Sequence, residues 1–158
     1  MPALSGPLQT FDGDTTALDT TLRQPLGSIA HDSNGNQYIY LQGVASTVLG
    51  DWVTYDEAHL TTRVSANGVG PLAIAMAAVV ASTYGWYLNK GYTASAGAIS
   101  GGGAAADVAL YLTATAGLVD DVDVAGDLIH NALSRVSESS ALIGVQVNHP
   151  FVLNVAAD

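Results

Sequence analysis

Residues 37–45, QYIYLQGVA, alternate apolar and polar side chains with the period of two that is typical of a half-buried β-strand. Similar short apolar runs recur along the rest of the chain, separated by clusters of Gly, Asn, Asp and Ser. These spacings are typical of an all-β fold. The pattern predicts a mainly β protein, a compact β-barrel or β-sandwich-like domain. Further strands are predicted at residues 52–55, 60–64, 72–80, 84–89, 108–113, 127–136 and 142–147.

Helix is the competing interpretation for three of these segments. Residues 104–116, AAADVALYLTATA, are rich in alanine, a good helix former, and contain no proline. The alanine-rich run 72–81 shares this ambiguity, and the apolar positions of residues 127–136 have helical spacing. One or two short helices are therefore compatible with the β-rich pattern. The helically spaced positions are Leu128, Ile129, Ala132, Leu133 and Val136.

Residues 1–36 follow neither period and contain three of the five prolines. We predict that they form an extended N-terminal arm, and that residues 37–158 form a β-rich packing domain. The turn sequence DSNGNQ, with Asn34-Gly35 at its centre, marks the transition. The arm's apolar side chains are suited to the grooves of a neighbouring subunit, with a flexible tail as the alternative. These candidate interface anchors are Leu4, Leu8, Phe11, Leu18, Leu22 and Leu26.

The charge of the chain limits the partners that it can bind. Fourteen acidic residues against 4 basic ones give a formal net charge of −10, which repels a nucleic-acid backbone. The absence of cysteine removes disulfides and thiolate chemistry. The N-terminus lacks the basic start and apolar run of a secretory signal. The longest apolar stretch, residues 71–82, is shorter than the roughly 20 residues that span a bilayer. We expect neither nucleic acid nor a membrane as a partner.

Within residues 64–106, Lys90 is the only charged residue among 43 positions. A soluble monomer ordinarily keeps more charge on its surface, whereas the cores of protein interfaces are depleted in charge. We therefore predict that much of this region faces other subunits of a homo-oligomer or a large partner. Four aromatic residues are candidate interface anchors, with ordinary core packing and a carbohydrate-binding platform as alternatives. They are Trp52, Tyr55, Trp86 and Tyr87.

Familiar catalytic patterns are absent from the sequence. Gly101, Gly103 and Ala106 have the spacing GxGxxA, but no βαβ unit surrounds them. The single lysine lies outside any GxxxxGK[ST] loop, the four histidines are scattered, and no serine lies in GxSxG. We predict a non-enzymatic protein without a cofactor, and a catalytic triad assembled only in space is the alternative. The histidines are His31, His59, His130 and His149.

The acidic stretch at residues 120–127, DDVDVAGD, invites a metal-site interpretation because carboxylates two residues apart can converge on calcium. An EF-hand that began at Asp121 would place Ala125 and Ala132 where oxygen ligands are needed. We therefore predict an exposed acidic turn without a metal, and an irregular calcium site is the alternative.

Three segments of the chain resemble small structural proteins that are encoded beside the major capsid protein of tailed phages. They are QYIYLQGVASTVLGDWVTYDEAHLTTRV, GPLAIAMAAVVASTYGWYLNKG and LYLTATAGLVDD, and the similarity covers roughly residues 37–152.

The resemblance implies a head decoration, or cement, protein. Such a protein is a β-rich protomer, commonly a trimer, that is made in the host cytoplasm. It binds the major capsid protein on the outer surface of the virion and stabilises the capsid. No catalytic residues come with the resemblance. A carbohydrate-binding or receptor-binding module of the virion is the alternative function.

Overall fold

The computed structural model describes residues 14–97, 104–136 and 141–153. Within these ranges it contains ten β-strands and no helix, which confirms the predicted mainly β fold. The strands are β1 (Ile29–His31), β2 (Gln37–Gln42), β3 (Trp52–Tyr55), β4 (Thr61–Arg63), β5 (Gly70–Ala75), β6 (Tyr84–Gly97), β7 (Ala109–Leu112), β8 (Val119–Asp120), β9 (Leu128–Ser134) and β10 (Leu142–Val152).

The segments for which helix was the alternative form strands instead. In β7, Leu110 and Leu112 are buried while Ala109 and Tyr111 are half-buried, which is the period of a strand. β7 pairs with β9, so both leucines reach the same core, and this packing outweighs the helix propensity of the neighbouring alanines. The run 72–81 is a strand only as far as the end of β5. The helical alternative is therefore wrong for the described residues of all three segments.

All pairings between the strands are antiparallel, in the order β1-β2-β6-β5-β10-β9-β7-β8, with β3 joining β5 to β4. β5, β6 and β10 also pair with one another at different parts of their length. This triangle makes the sheet curl over its own core, as in a sandwich. The described strands do not close into a complete barrel, because β1, β4 and β8 each pair on one side alone.

The hairpin between β1 and β2 is built on the predicted turn. One carboxylate oxygen of Asp32 accepts hydrogen bonds from the backbone N–H groups of Asn34 (2.8 Å) and Asn36 (2.9 Å), and the other accepts one from the Tyr38 hydroxyl (3.0 Å). Gly35 supplies the left-handed conformation with a φ of 83°. β1 lies within the range predicted as arm, and it pairs with β2 along its whole length. The folded sheet therefore begins at β1 rather than at residue 37.

The central strands β2, β3 and β5 and residues 85–89 of β6 meet a core on each face. In β2, Tyr38 and Tyr40 belong to the main core, whereas Ile39 and Leu41 belong to a second, smaller core on the opposite face. The same alternation runs through β3 and β5. Burial on both faces explains why these segments are almost continuously apolar. The expectation of a half-buried strand at residues 37–45 is therefore wrong for β2, whose residues 38–41 are all buried. The second core comprises Ile39, Leu41, Val53, Ala73, Ala75, Val79 and Tyr87.

Val79 caps the second core from the segment that follows β5. Two glycines make room for it: a Cβ built on Gly43 would collide with the carbonyl oxygen of Val79, and one on Gly85 would lie 2.7 Å from its Cγ2. These glycines let the segment approach the sheet closely enough to exclude water. The second core therefore depends on residues outside the strands.

A buried ion pair fixes the β3–β4 side of the fold. Arg63 Nε lies 2.7 Å from Asp51 Oδ2, and the side chain of Asp51 is fully buried. The same carboxylate oxygen accepts the backbone N–H of Val48 at 2.9 Å, and Arg63 donates to the carbonyl of Ala116 at 2.8 Å. Since each charged group has several partners, the pair ties β4 to the loop at residues 48–51 and to the loop at Ala116 without leaving a buried charge unpaired.

Burial inside one subunit accounts for part of the charge-poor region 64–106. Residues 72–75 and 85–89 are all buried within the single chain. These positions need no partner subunit to explain their lack of charge. The prediction of contacts with other subunits therefore concerns only the exposed positions of the region, such as Val69, Val80 and Tyr92.

Candidate interaction surfaces

Three of the aromatic residues predicted as interface anchors lie in the core of the subunit. Trp52 and Tyr87 are 0% exposed and Trp86 is 4% exposed. The ring of Trp86 packs against that of Tyr40, with centroids 5.0 Å apart. Their side chains present no surface to a partner, so the prediction of anchors and of a sugar platform at these positions is wrong. Sequence pattern alone did not distinguish them from exposed aromatics, because two-sided burial arises from strand pairing.

The remaining predicted anchors have mixed outcomes. Leu4, Leu8 and Phe11 lie outside the described residues. Leu18 is 45% exposed and stays available to a partner. Tyr55 is half-buried against the second core and stacks on His59, with ring centroids 6.4 Å apart. Leu22 is 53% exposed, whereas Leu26 is partly buried against the main core. Leu18 and Leu22 are therefore the described arm residues that retain the predicted accessibility.

The N-terminal segment is attached to the end of the β2–β6 pair. The backbone N–H of Asp19 donates to the carbonyl of Tyr84 at 2.9 Å, and the N–H of Tyr84 donates to the carbonyl of Asp19 at 2.8 Å. The Asp19 carboxylate accepts the hydroxyl of Tyr40 at 2.7 Å and pairs with Arg23 Nε at 2.7 Å. Burial and this hydrogen bond to Asp19 raise the pKa of Tyr40 to about 12. The segment around Asp19 is therefore fixed to this end of the sheet.

Three exposed apolar side chains surround the same end, and we call Leu18, Leu60 and Val80 the apolar rim. Tyr84 is the common neighbour. It pairs with Asp19, the residue after Leu18, and with Gln42 of β2, which forms a bridge with Leu60. Val80 follows Val79, which packs on Gly43 and Gly85. The three are 45%, 43% and 39% exposed. The rim therefore combines residues from three separate segments where the N-terminal segment is attached.

A groove of about 570 Å³ adjoins the rim between the β3–β4 hairpin and the start of β5. Asp56 Oδ1 accepts the backbone N–H groups of Ala58 (3.0 Å) and Leu60 (2.9 Å), so this carboxylate stabilises its own turn. The groove is lined by Thr54, Tyr55, Asp56, Glu57, Leu60, Thr61, Thr62, Val69, Gly70 and Pro71.

The outer face of β6, β10 and β9 forms a second surface. Gln146 lies directly opposite Tyr92 on one side and opposite Leu133 on the other. Residues directly opposite in a ladder share a face, and all three side chains are exposed. Next to this row lies a groove of about 450 Å³. We call it the amide groove because three of its six lining residues carry amide side chains. It is lined by Asn131, Ala132, Leu133, Gln146, Val147 and Asn148.

The acidic stretch 120–127 does not gather its carboxylates around a metal. Three of them accept hydrogen bonds from backbone N–H groups instead. Asp127 accepts from Asn67 at 2.6 Å and Asp121 accepts from Ala105 at 3.0 Å. Asp120 accepts from Val122 at 3.1 Å. No group of three or more potential metal-ligating side chains occurs among the residues that the structure describes. The alternative of an irregular calcium site therefore has no support from the described side chains.

The histidines lie in separate places. His31 hydrogen-bonds to Gln37 (3.1 Å), His59 stacks on Tyr55, and His130 stacks on Phe151 with ring centroids 4.8 Å apart. Over the described ranges there is also no helix long and apolar enough to cross a membrane.

No family model, curated protein or solved structure matches this chain.

Proposed function

We propose that this chain is a structural protein that decorates the outer surface of a tailed-phage capsid, where it binds the major capsid protein and further copies of itself. The observation that carries the proposal is the apolar rim at the attachment point of the N-terminal segment. An arm that leaves the sheet beside exposed apolar side chains can bind a neighbouring subunit together with them. The resemblance of residues 37–152 to decoration proteins supplies the identity of the partner.

The rim is suited to subunit contacts because its three residues are aliphatic and exposed. Charged residues lie around it, with Asp56 and Glu57 beside Leu60 and the Asp19–Arg23 ion pair beside Leu18, as in the polar border of an interface. Burial of aliphatic surface contributes about 25 cal/mol of binding free energy per Å². The small contribution of each contact is therefore multiplied by the number of copies bound to the capsid. A protein that binds only the expanded capsid stabilises that state by mass action. No catalytic step is part of this function.

The test is binding to expanded heads assembled from the major capsid protein of the phage that, under this proposal, encodes the chain. The triple variant Leu18→Asn, Leu60→Asn and Val80→Asn removes the apolar rim without changing the net charge. Val122→Asn is the matched control, because Val122 is 59% exposed and lies in the distant acidic turn. Co-sedimentation should show at least a tenfold weaker apparent affinity for the triple variant and an unchanged affinity for the control. Equal binding by both variants would contradict the rim as the contact surface.

The contribution of the arm needs a separate deletion. Removing residues 2–13 leaves β1 and the Asp19 attachment intact, whereas a longer deletion would remove Leu26 and Ala30, which pack on the main core. We expect lower capsid occupancy with an unchanged unfolding temperature. Full occupancy after this deletion would contradict a role of the arm in capsid binding. A monomeric mass for the purified protein at micromolar concentration would contradict self-association as a trimer.

A further inference from the structure

The amide groove is opened by an irregularity in the β9–β10 ladder. Val147 lies opposite Ala132 and Phe151 lies opposite His130, so residues 148–150 of β10 face Asn131 alone in β9. Asn131 and His149 both adopt left-handed conformations, with φ of 61° and 52°. Bulges of this kind change the direction in which side chains point, and they are common beside binding sites. Here the bulge separates the strands and directs polar residues around a concave surface.

Three amide side chains border this groove without a protein partner. Asn131, Gln146 and Asn148 are exposed, and within the described residues none of their side chains makes a hydrogen bond. The contrast is with Asn36, whose amide donates to Asp32 and accepts from the N–H of Tyr92. Each free amide offers two donors and one acceptor. Such a set matches a ligand rich in hydroxyl groups, which both donate and accept.

Tyr92 provides a flat aromatic surface beside the amides. A Cβ built on Gly144 would lie 2.7 Å from the Tyr92 hydroxyl oxygen and 3.4 Å from its Cζ, so the tip of the ring lies over the backbone of Gly144. Tyr92 is nevertheless 46% exposed. The exposed part of the ring offers an apolar surface on which the C–H face of a pyranose can pack. A Cβ at position 144 would require the tip of the ring to shift.

The charges around the groove favour an uncharged ligand. The row Tyr92–Gln146–Leu133 carries no charge, and Arg135 at one end is paired with Asp107. Lys90, opposite Asn148, is the one cation that borders the groove among the described residues. The chain as a whole carries a net charge of −10 and repels polyanions. A volume of about 450 Å³ is within the roughly 300–1,000 Å³ range of ligand pockets.

We propose that the amide groove, with Tyr92 as its aromatic platform, binds a neutral oligosaccharide. Hydroxyl groups of the sugar bond to Asn131, Gln146 and Asn148, and the apolar face of one ring packs on Tyr92. This activity goes beyond binding to a capsid and uses a surface separate from the apolar rim.

The test is a glycan array with neutral and anionic oligosaccharides, probed with the purified full chain and followed by calorimetric titration of the neutral glycans that bind. Tyr92→Ala should weaken binding at least tenfold, and Tyr92→Phe should retain most of it because the ring remains. Gln146→Ala and Asn148→Ala should each weaken binding about threefold to tenfold. Gly144→Ala should also weaken it by displacing the ring.

The circular dichroism spectrum and unfolding temperature of each variant establish that it is folded. Binding to no neutral glycan on the array would overturn the proposal. Preference for anionic glycans, or unchanged neutral-glycan affinity in Tyr92→Ala, would overturn it as well.

Discussion

Residues 85–89 and residues 90–97 belong to one continuous strand, β6, but they lie in different surroundings. The first segment is buried at every position, because β2 and β5 flank it and both of its faces meet a core. The second segment pairs with β10 and leaves Lys90, Tyr92 and Ala94 exposed. Both segments are poor in charge, but the first avoids charge because it is buried, whereas the second presents an outer surface on which Lys90 is the one charged residue of the segment. Low charge density alone therefore does not identify an interface.

Gly91 lies near the junction between the two segments. Its φ is 121°, and a Cβ there would collide with the side chain of Asn36. The β2–β6 register also shifts here, between Gln37 and Tyr38. A glycine is required because only this residue combines that conformation with the close approach of the β1–β2 turn. The irregularity changes the direction of the side chains and so separates the core segment from the exposed one.

Two tyrosines of β6 give the largest expected difference between its segments. Tyr87→Ala removes a fully buried ring from the second core and should lower the free energy of unfolding by about 3–5 kcal/mol. Tyr92→Ala removes a 46% exposed ring and should lower it by about 1 kcal/mol or less. Urea unfolding of both variants measures the difference. Equal losses would show that the two segments are buried alike.

Two arginines allow the same comparison between a buried ion pair and an exposed one. Arg63→Ala leaves the fully buried Asp51 without its cation and should cost about 3 kcal/mol of unfolding free energy. Arg135→Ala breaks the exposed pair with Asp107 and should cost less than about 1 kcal/mol. Denaturant titrations in low and high salt check both, since only the exposed pair should be sensitive to screening. A small loss for Arg63→Ala would mean that water reaches Asp51.

Two aspartates give the smallest expected effects, and their signs are opposite. Partial burial acts to raise the pKa of Asp32, but hydrogen bonds from Asn36, Tyr38 and Asn34 hold it below its ordinary value. Asp32 therefore contributes stability above its unfolded pKa of about 3.9, and the contribution is lost as the pH falls through the folded pKa. Burial, with the charge of Asp121, raises the pKa of Asp120, whose contribution is present at low pH and lost as the pH rises.

Asn substitutions at these two positions test the signs. Asp32→Asn should destabilise the protein at pH 7, and the deficit relative to wild type should shrink as the pH falls below about 4. Asp120→Asn should stabilise it slightly at pH 7, and that gain should disappear in acid. Urea unfolding between pH 3 and pH 7 measures both differences. Parallel pH profiles for the two variants would refute the opposite shifts.

The local pattern of the sequence was sufficient to predict most of the strands. The predicted strand at 52–55 coincides with β3, and those at 108–113 and 127–136 contain β7 and β9 within a few residues. These predictions succeed because the period of two and the turn residues are local properties. β1 was missed because the segment that contains it follows neither period and it gains its order by pairing with β2. β8, with two residues, is too short to show a period and gains its order by pairing with β7.

The location of the candidate sites could not be predicted from the pattern. Trp86, Tyr87 and Tyr92 lie within seven positions of one another in an uncharged strand sequence interrupted only by Lys90. The first two are buried because β2 and β5 pair beside them, whereas Tyr92 is exposed beside β10 and lies over Gly144. The amides of the groove also come from β9 and β10, which meet only in the folded chain.

The sequence by itself therefore determined the β class, the main turns and the negative charge of this protein, because those follow from side-chain periodicity and composition. Only the tertiary structure decided which uncharged residues form the core, the apolar rim and the amide groove. The physical reason is that burial depends on which strands pair. The core depends on pairs that join residues about 50 positions apart, as in β2 with β6 and β6 with β10, and the amide groove depends on the bulged pairing of β9 with β10.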